Sequence, residues 1–598
     1  MKVALDENSK IINIQESVPD KEYYCCVCHE KLIRNFGLER QYFSHQHDKE
    51  NNNCELKLKI ILKDSPIDFG NDDRLILNKY YNEQFQNTDI VMSDYDSEEG
   101  YKLTQEQKDI IFAPENRIKI SALAGSSKTT TLYYYAKEHP YKKFLYLVYN
   151  KAMQMEAQKT FGKLNNVIIK TIHGLAYQFV GKYYRDKLTN NYNAVDVIKD
   201  LNLDWKDDQE LAVHINDMLK AYMLSNIEDI ESIDLFNDKE YKKIRPIIIE
   251  LCKRLWNMKK DYHSPIEVEH DFYLKLFQLA HYDMSKLYDA ILLDESQDSS
   301  KLVLDILKNS NIKNIVIVGD KYQSLYRWRS SIDIAKYFSG KEYSLTTSFR
   351  VSQNIAHIAN LIVEDFLNED IHMNGFNKNQ KIVNKINTNN TYAVLCRTNA
   401  YILSEVIDAI DYNTNKKNKK IYLEGGYKSY KFKDILDCYY FSLGHKINNK
   451  IFNKFKDYYQ MLEYAENNND VEILSLVRVC ERYGSRIPDM INRIKNNIVK
   501  DKVRADIIFT TIHKSKGQTY KIPIKVSDDI FDLNEYFKDK YIRHETEKYK
   551  DVDIFSEISI IYVAITRCAN EIELPNSVKQ YLITRYKYFN EKGSAEVA

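Results

Sequence analysis

The sequence predicts an α/β protein of two parallel-sheet lobes with helical insertions, preceded by a small α+β module. From about residue 101 onward, short apolar runs alternate with longer helical patterns, as a parallel sheet covered by helices requires. A length of 598 residues exceeds one hydrophobic core, and a hydrophobic content of 44% can fill several. Of nine cysteines, Cys25, Cys26, Cys28 and Cys54 crowd the first sixty residues, which marks a module of different character there. The expected division is a module over 1–65, a linker over 66–100, a first lobe over 101–340 and a second over 341–598. Helical insertions are expected at about 175–285 and about 400–505.

In the module, Cys25 and Cys28 have the C-x-x-C spacing of half a zinc site, and His45 and Cys54 can complete four ligands. His47 competes with His45, and Cys26 with Cys25. Such a Cys3His site would supply folding energy that a sixty-residue core lacks. Unpaired thiols in a reducing compartment are the alternative, and they leave the clustering unexplained. Asp89, Asp94, Asp96, Glu98 and Glu99 give the next stretch a polar, linker-like character.

Candidate strands of the first lobe are Ile118–Ser121, Phe144–Tyr149, Val167–Lys170, Ala290–Leu293 and Asn314–Val318. Those of the second are Tyr392–Cys396, Asp506–Thr510 and Ile522–Val526. Lys plus Arg and Asp plus Glu both number 86, so net charge gives no support for nucleic-acid binding, although a basic groove can sit on a neutral protein. No apolar run reaches the length of a membrane span, and Met1-Lys2-Val3-Ala4-Leu5-Asp6 leads straight into polar sequence. A soluble, intracellular protein is expected.

The strand Ile118–Ser121 runs into Ala124-Gly125-Ser126-Ser127-Lys128-Thr129-Thr130. A strand entering a tight loop and then a helix presents backbone N–H groups to phosphate. Lys128 is placed to reach the outer phosphates of ATP, and Thr129 supplies a hydroxyl for magnesium. Ala122 and Ser127 stand where the pattern G-x-x-x-x-G-K-[ST] asks for glycine. A side chain at Ser127 would crowd the phosphates or demand a strained backbone.

Asp294-Glu295-Ser296-Gln297-Asp298 ends the apolar run Ala290–Leu293. Asp294 is the candidate magnesium ligand, and Glu295 the group that orients or deprotonates the attacking water. Helix capping by these acids is the alternative, but it does not explain the apolar strand beside them. Trp328 is a candidate base-stacking ring, weighed against a core tryptophan. Tyr149, Asn150 and Lys151, at a strand end, are further DNA-side candidates.

These segments arrive in a fixed order with Leu103-Thr104-Gln105-Glu106-Gln107, Thr171-Ile172-His173, Val318-Gly319-Asp320-Lys321-Tyr322-Gln323 and Leu345-Thr346-Thr347-Ser348-Phe349-Arg350. Val394-Leu395-Cys396-Arg397, Thr511-Ile512-His513-Lys514-Ser515-Lys516-Gly517 and Tyr562-Val563-Ala564-Ile565-Thr566-Arg567 complete the set. Over roughly residues 101–570 the chain resembles superfamily 1 DNA helicases of the UvrD/Rep class, and within it the F-box DNA helicase branch. The resemblance implies two RecA-like lobes. It places Gln107 on the adenine edge, Phe349 on the base, Gly517 beside the nucleotide, and Gln323 at the γ-phosphate. Arg350 and Arg567 would embrace the phosphates from the second lobe, Trp328 would stack on single-stranded DNA, and His173 and His513 would lie near the DNA track or its coupling to ATP. It further implies 3′-to-5′ movement on single-stranded DNA and unwinding of duplex with a single-stranded tail, in repair, recombination or replication. Gln518-Thr519 departs from the apolar residue and Glu usual there, and Ser127 from the loop glycine, so a working but slower ATPase is expected. The competing readings are a nucleic-acid-binding scaffold with a decayed ATP site, and an RNA helicase.

The module is similar to the amino-terminal zinc-binding region of CoiA-type competence proteins through Val3-Ala4-Leu5, Tyr24-Cys25-Cys26-Val27-Cys28 and Tyr42-Phe43-Ser44-His45. Tyr42 stands where those proteins often have His. The nuclease-like domain of that family has no counterpart here, so the resemblance implies only a DNA-end, junction or partner-binding attachment.

Overall fold

A computed structural model describes residues 70–82, 90–96, 102–190, 192–205, 207–235, 239–325, 333–411, 419–449, 451–467 and 470–595, with the backbone of five short strands before residue 46. The chain divides into two compact units, Met1–Arg74 and Leu75–Ala598. In the first, β1 (Val3–Leu5), β2 (Ile11–Asn13), β3 (Tyr23–Tyr24), β4 (Lys31–Phe36) and β5 (Gln41–His45) form an antiparallel sheet in the order β2-β1-β3-β4-β5. The zinc expectation lies outside the described residues: Cys25, Cys28 and Cys54 are not among them, and of His45 only the backbone is.

The stretch expected as a linker contains a helix, Asn71–Asn82, and strand β6 (Met92–Asp96), which pairs antiparallel with β7 (Lys102–Thr104). Helical residues Ile76, Leu77, Tyr80 and Tyr81 are buried. Tyr80 stacks on His357 at 6.3 Å, and Asn354 Nδ2 donates to the Tyr80 carbonyl at 2.8 Å. Four apolar or aromatic side chains on one face gave this segment a surface to bury, which its polar average concealed.

In the first lobe, β8 (Arg117–Ala122), β9 (Phe144–Val148), β10 (Val167–Thr171), β11 (Ala290–Leu293), β12 (Asn314–Gly319) and β13 (Lys341–Leu345) form one parallel sheet in the order β10-β9-β11-β12-β8-β13. Every residue of β9 and β11 is buried, as expected of strands covered on both faces. β13 lies beyond the boundary drawn at 340. It is an edge strand whose first residues, Lys341 and Glu342, face solvent, so it carries little apolar signal.

A two-stranded pair, β14 (Thr347–Ser348) and β15 (Asn374–Gly375), leads into the second lobe. There β16 (Lys381–Val383), β17 (Tyr392–Cys396), β18 (Ile421–Leu423), β19 (Ile507–Thr511), β20 (Ile524–Val526) and β21 (Glu571–Glu573) form a parallel sheet in the order β16-β21-β20-β17-β19-β18. β18 and the helix Asn399–Asp411 fall within the expected insertion at 400–505 yet belong to this lobe. Helices Ala194–Leu201, Gln209–Leu224, Lys239–Lys260 and His270–Leu279 build the first insertion. Phe432–Ser442, Tyr458–Asn467, Val471–Tyr483 and Ile487–Asn497 build the second. The insertions touch where Trp205 meets Phe455 and Tyr464 at 6.2 and 6.4 Å, and where Lys454 pairs with Asp196 at 2.7 Å. No helix among the described residues is long and apolar enough to cross a membrane.

Candidate active site

β8 delivers the loop Leu123–Ser127 to the helix Lys128–Lys137. Gly125 has φ +77°, and a Cβ there would meet Ser348 Oγ at 2.5 Å and Arg350 Cβ at 2.7 Å. Glycine is thus required both by conformation and by the close approach of the segment carrying Phe349 and Arg350. Phe349 N–H donates to the Gly125 carbonyl at 2.9 Å, holding that approach. Ser127 adopts the left-handed region, φ 60° and ψ 39°, and its side chain makes no cap hydrogen bond. This is the strained-backbone outcome expected of a side chain at that loop position.

β11 delivers the carboxylates. Glu295 is also left-handed, with φ 52°, and turns the chain so that both acids point toward the loop. Asp294 Oδ2 accepts from the Tyr146 hydroxyl at 2.7 Å, and Asp294 Oδ1 from the Glu295 N–H at 2.8 Å. Burial and the neighbouring Glu295 push the Asp294 carboxyl up. Glu295 is pushed the other way: burial would raise it, but the Lys128 and Lys516 ammoniums, with the Gln297 amide, hold it well below the ordinary carboxylate range. Lys128 Nζ and Lys516 Nζ lie 3.2 and 3.3 Å from its oxygens. Glu295 is therefore held ionised in the resting site, between two cations.

Lys516 also bonds Asp298, and it donates to the Gln323 carbonyl at 2.6 Å. Burial pushes Asp298 up to about 6, against the pull of Lys516. Gln323 joins the lobes: its Nε2 donates to Asp320 Oδ2 at 2.6 Å, and its Oε1 accepts from Arg567 at 2.8 Å. Tyr562, on the helix Ile554–Ile565, accepts from the Ala124 N–H and donates to Asp320 Oδ2, both at 3.2 Å. Arg350 donates to Thr519 Oγ1 at 2.8 Å and to the Thr566 carbonyl at 3.3 Å. Thr519, standing where a Glu is usual, thus orients an arginine. Burial and the nearby Arg567 push the Arg350 guanidinium down to about 9. Two such cations facing one cleft make a place for an anion.

Gly125, Ser126, Ser127, Lys128, Thr129, Asp294, Glu295, Gln323, Arg350, Gly517 and Arg567 line this single cleft. Ser126 Oγ and Asp298 Oδ1 are buried beside it without a protein hydrogen-bond partner. Those orphaned oxygens and the hard donors Thr129 and Asp294 fit a phosphate–magnesium pair, which needs only one or two protein ligands besides the phosphates. The described residues hold no group of three or more acidic, His or Cys ligands.

Ala124 and Thr130 flank the cleft without lining it. Gln107 is held nearby in a capping box with Thr104 and donates to Thr131 Oγ1 at 3.1 Å. Phe349 packs edge-on against Phe376 at 5.4 Å. His173 and His513 stand in matching turns: Thr171 accepts from the Gly174 N–H at 2.9 Å, and Thr511 from the Lys514 N–H at 3.3 Å. His173 Nε2 meets Asp271 Oδ1 at 2.9 Å, and burial pushes His513 down. Asn150 caps the helix begun by the exposed Lys151, directly after Tyr149. Trp328 lies outside the described residues.

Sequence reasoning assigned no role to Lys516, Tyr562, Asp320 or Tyr146. The first three stand inside segments whose order was recognised, so a signal existed. Tyr146 reads as a core aromatic of β9, and only the fold brings it to Asp294.

Two parallel-sheet lobes, a phosphate loop, a buried carboxylate pair and two arginines from the far lobe define a two-lobed nucleoside-triphosphate hydrolase site. Residues 103–340 match the UvrD/REP helicase N-terminal domain. The chain is similar to F-box DNA helicase 1 of Gallus gallus, at 26% identity over 82% of this chain and 50% of the relative. F-box DNA helicase protein 1 of Schizosaccharomyces pombe matches at 25% over 82% of this chain and 59% of the relative. DNA helicase II of Escherichia coli matches at 25% over 44% of this chain and 40% of its own length. The chain spans about half the length of the first two relatives.

Proposed function

We propose that the chain is an ATP-dependent DNA helicase or translocase of superfamily 1, of the F-box DNA helicase kind, coupling hydrolysis to 3′-to-5′ movement on single-stranded DNA and to unwinding of tailed duplex. The carrying observation is Gln323, which bonds Asp320 of the first lobe and Arg567 of the second at one amide. Any change at the γ-phosphate is felt by both lobes through that side chain, which is what a cleft-closing motor needs. In this reading Lys128 and the loop N–H groups bind the phosphates, with Gln107 and Phe349 at the base. Glu295 takes the proton of the attacking water, and Arg350, Lys516 and Arg567 stabilise charge on the transferred group. Thr129 and Asp294 would hold magnesium, which would offset phosphate charge. Tyr149, Asn150, Lys151, His173, His513 and Trp328 are assigned to the DNA track. DNA repair, recombination or replication is the setting this activity serves.

The test is ATP hydrolysis with and without single-stranded DNA, beside Glu295→Gln. Stimulation by DNA and a loss of about a hundredfold or more in Glu295→Gln are expected. Undetectable turnover in a folded, DNA-binding protein would reject the motor in favour of a scaffold, the reading that Ser127 strain favours. Equal stimulation by RNA would remove the DNA assignment.

A further inference from the structure

On the first insertion, away from the nucleotide cleft, two tyrosine rings stand in solvent: Tyr183 is 61% and Tyr262 57% exposed. Rings of this size normally seek burial, and two adjacent ones left outside mark an interaction surface. They are held in place. Buried Phe272 meets buried Tyr184 at 5.1 Å, Tyr184 meets Tyr262 at 4.8 Å, and Tyr262 meets Tyr183 at 6.3 Å, so a column of rings runs from core to surface. The Tyr184 hydroxyl donates to the Lys260 carbonyl at 3.0 Å, and Lys187 Nζ to the carbonyls of Lys259 and Asp261 at 3.3 and 2.6 Å. These bonds pin the two segments together. Little order remains to be gained when something docks on the rings.

The surroundings are cationic. Lys182 lies 4.9 Å over the Tyr183 ring, and Lys182, Arg185 and Lys260 are exposed, with Asp186 and Asp261 the acids nearest in sequence. Flat aromatic faces interleaved with Lys and Arg suit nucleobases stacked in sequence along a phosphate backbone. The location fits as well. Tyr273, next to Phe272 on the helix His270–Leu279, meets His173 edge-on at 6.2 Å. The platform and the DNA-track histidine therefore share one supporting helix. The helix Ile172–Phe179, which carries His173, leads into the segment Gly181–Lys187, which carries Tyr183.

We propose that Tyr183 and Tyr262, with Lys182, Arg185 and Lys260, form an accessory stacking platform for unpaired bases of a single DNA strand that extends beyond the track between the lobes. The inference rests on the DNA-motor reading and names a second contact for the same strand. It gives the first insertion a function in strand capture, separate from catalysis.

The test uses the full chain with oligothymidylates of about 10 and about 30 nucleotides, the shorter filling the track alone. Tyr183→Ala with Tyr262→Ala should weaken binding of the long strand about tenfold or more, leaving ATPase stimulation by the short strand within about twofold of wild type. Tyr183→Phe with Tyr262→Phe keeps both rings and should bind like wild type. Lys182→Ala with Arg185→Ala should make the salt dependence of long-strand binding shallower by about one logarithmic unit per decade. Unchanged long-strand affinity in the alanine pair would overturn the platform while wild-type stimulation keeps the motor standing. Equal losses on short and long strands would overturn it too, placing the defect in the track. A wild-type chain that neither binds single strands nor is stimulated by them would remove both readings together.

Discussion

The first-lobe wall of the cleft comes from two loops, Leu123–Ser127 after β8 and Asp294–Asp298 after β11, each following a strand directly. The second-lobe wall has no such origin. It is assembled from Arg350, Lys516, Thr519, Tyr562 and Arg567, which no short segment contains and which reach the cleft only because the lobes pack together. The first wall binds with backbone N–H groups and carboxylates, and the second answers with cations and a hydroxyl. Glu295 is shared between them, by Lys128 from its own lobe and Lys516 from the other. A local strand-loop-helix unit can thus prepare the nucleotide site, but chemistry waits on tertiary closure.

The sharpest way to break this comparison is to remove the far wall's most buried cation. Arg567 is 1% exposed and bonds Gln323 at 2.8 Å. Arg567→Ala should lower kcat for ATP by about a thousandfold or more, with a far smaller change in nucleotide affinity, measured by steady-state turnover and by titration with a fluorescent ATP analogue. Arg567→Lys, which keeps charge but loses the fork, should fall between. A loss under about tenfold in the alanine variant, with an unchanged melting profile, would mean that the second wall is structural.

The same contrast explains what was legible in the sequence. Ala290–Leu293 followed at once by Asp294 and Glu295 announces both a buried strand and its chemistry, because strand, turn and acids are contiguous. Of the eight strands expected, β9, β11, β12 and β17 carry continuous apolar signals of this kind. β13, with Lys341 and Glu342 in solvent, and the three-residue strands β16, β18 and β21 do not, since edge position or brevity leaves too few buried positions to form a pattern. Arg350 and Arg567 could be placed through resemblance. Tyr146 and the hydroxyl of Tyr562 could not be assigned contacts, because their partners are set by strand order and lobe packing. Thr519 looked like a departure from the usual Glu; the fold shows it accepting from Arg350.

A smaller effect should come from pH. Burial raises Asp298 to about 6, above the ordinary 3.8, so between those values the folded protein holds a proton that the unfolded chain has lost. The stability this contributes is present below about 3.8 and is lost as pH rises through about 6, where the carboxylate ionises and leans on Lys516. Activity should run the opposite way. Ionised Asp298 keeps Lys516 poised between itself and Glu295, so turnover should fall about severalfold on the acid side, with an apparent pKa near 6. Asp298→Asn should flatten that limb. A limb of unchanged position in the variant would assign it to another group.

The smallest effect belongs to the first wall itself, at Ser127. Its left-handed backbone costs about 1 kcal/mol relative to a residue free of Cβ, while glycine there would give the unfolded chain about 0.4–1 kcal/mol of extra freedom. The two nearly cancel, so Ser127→Gly should leave the melting temperature almost unchanged. What changes is access: the Cβ and Oγ leave the mouth of the loop beside Lys128, and Ser127 makes no cap hydrogen bond that would be missed. Turnover should rise about two- to fivefold, chiefly through easier loop adjustment around the phosphates. The control is Gly125→Ala, which would set a methyl 2.5 Å from Ser348 Oγ and 2.7 Å from Arg350 Cβ and so press the walls apart. If Ser127→Gly instead slows the enzyme, the left-handed serine is a positioning residue for Lys128, and the first wall is less self-sufficient than its contiguous sequence implies.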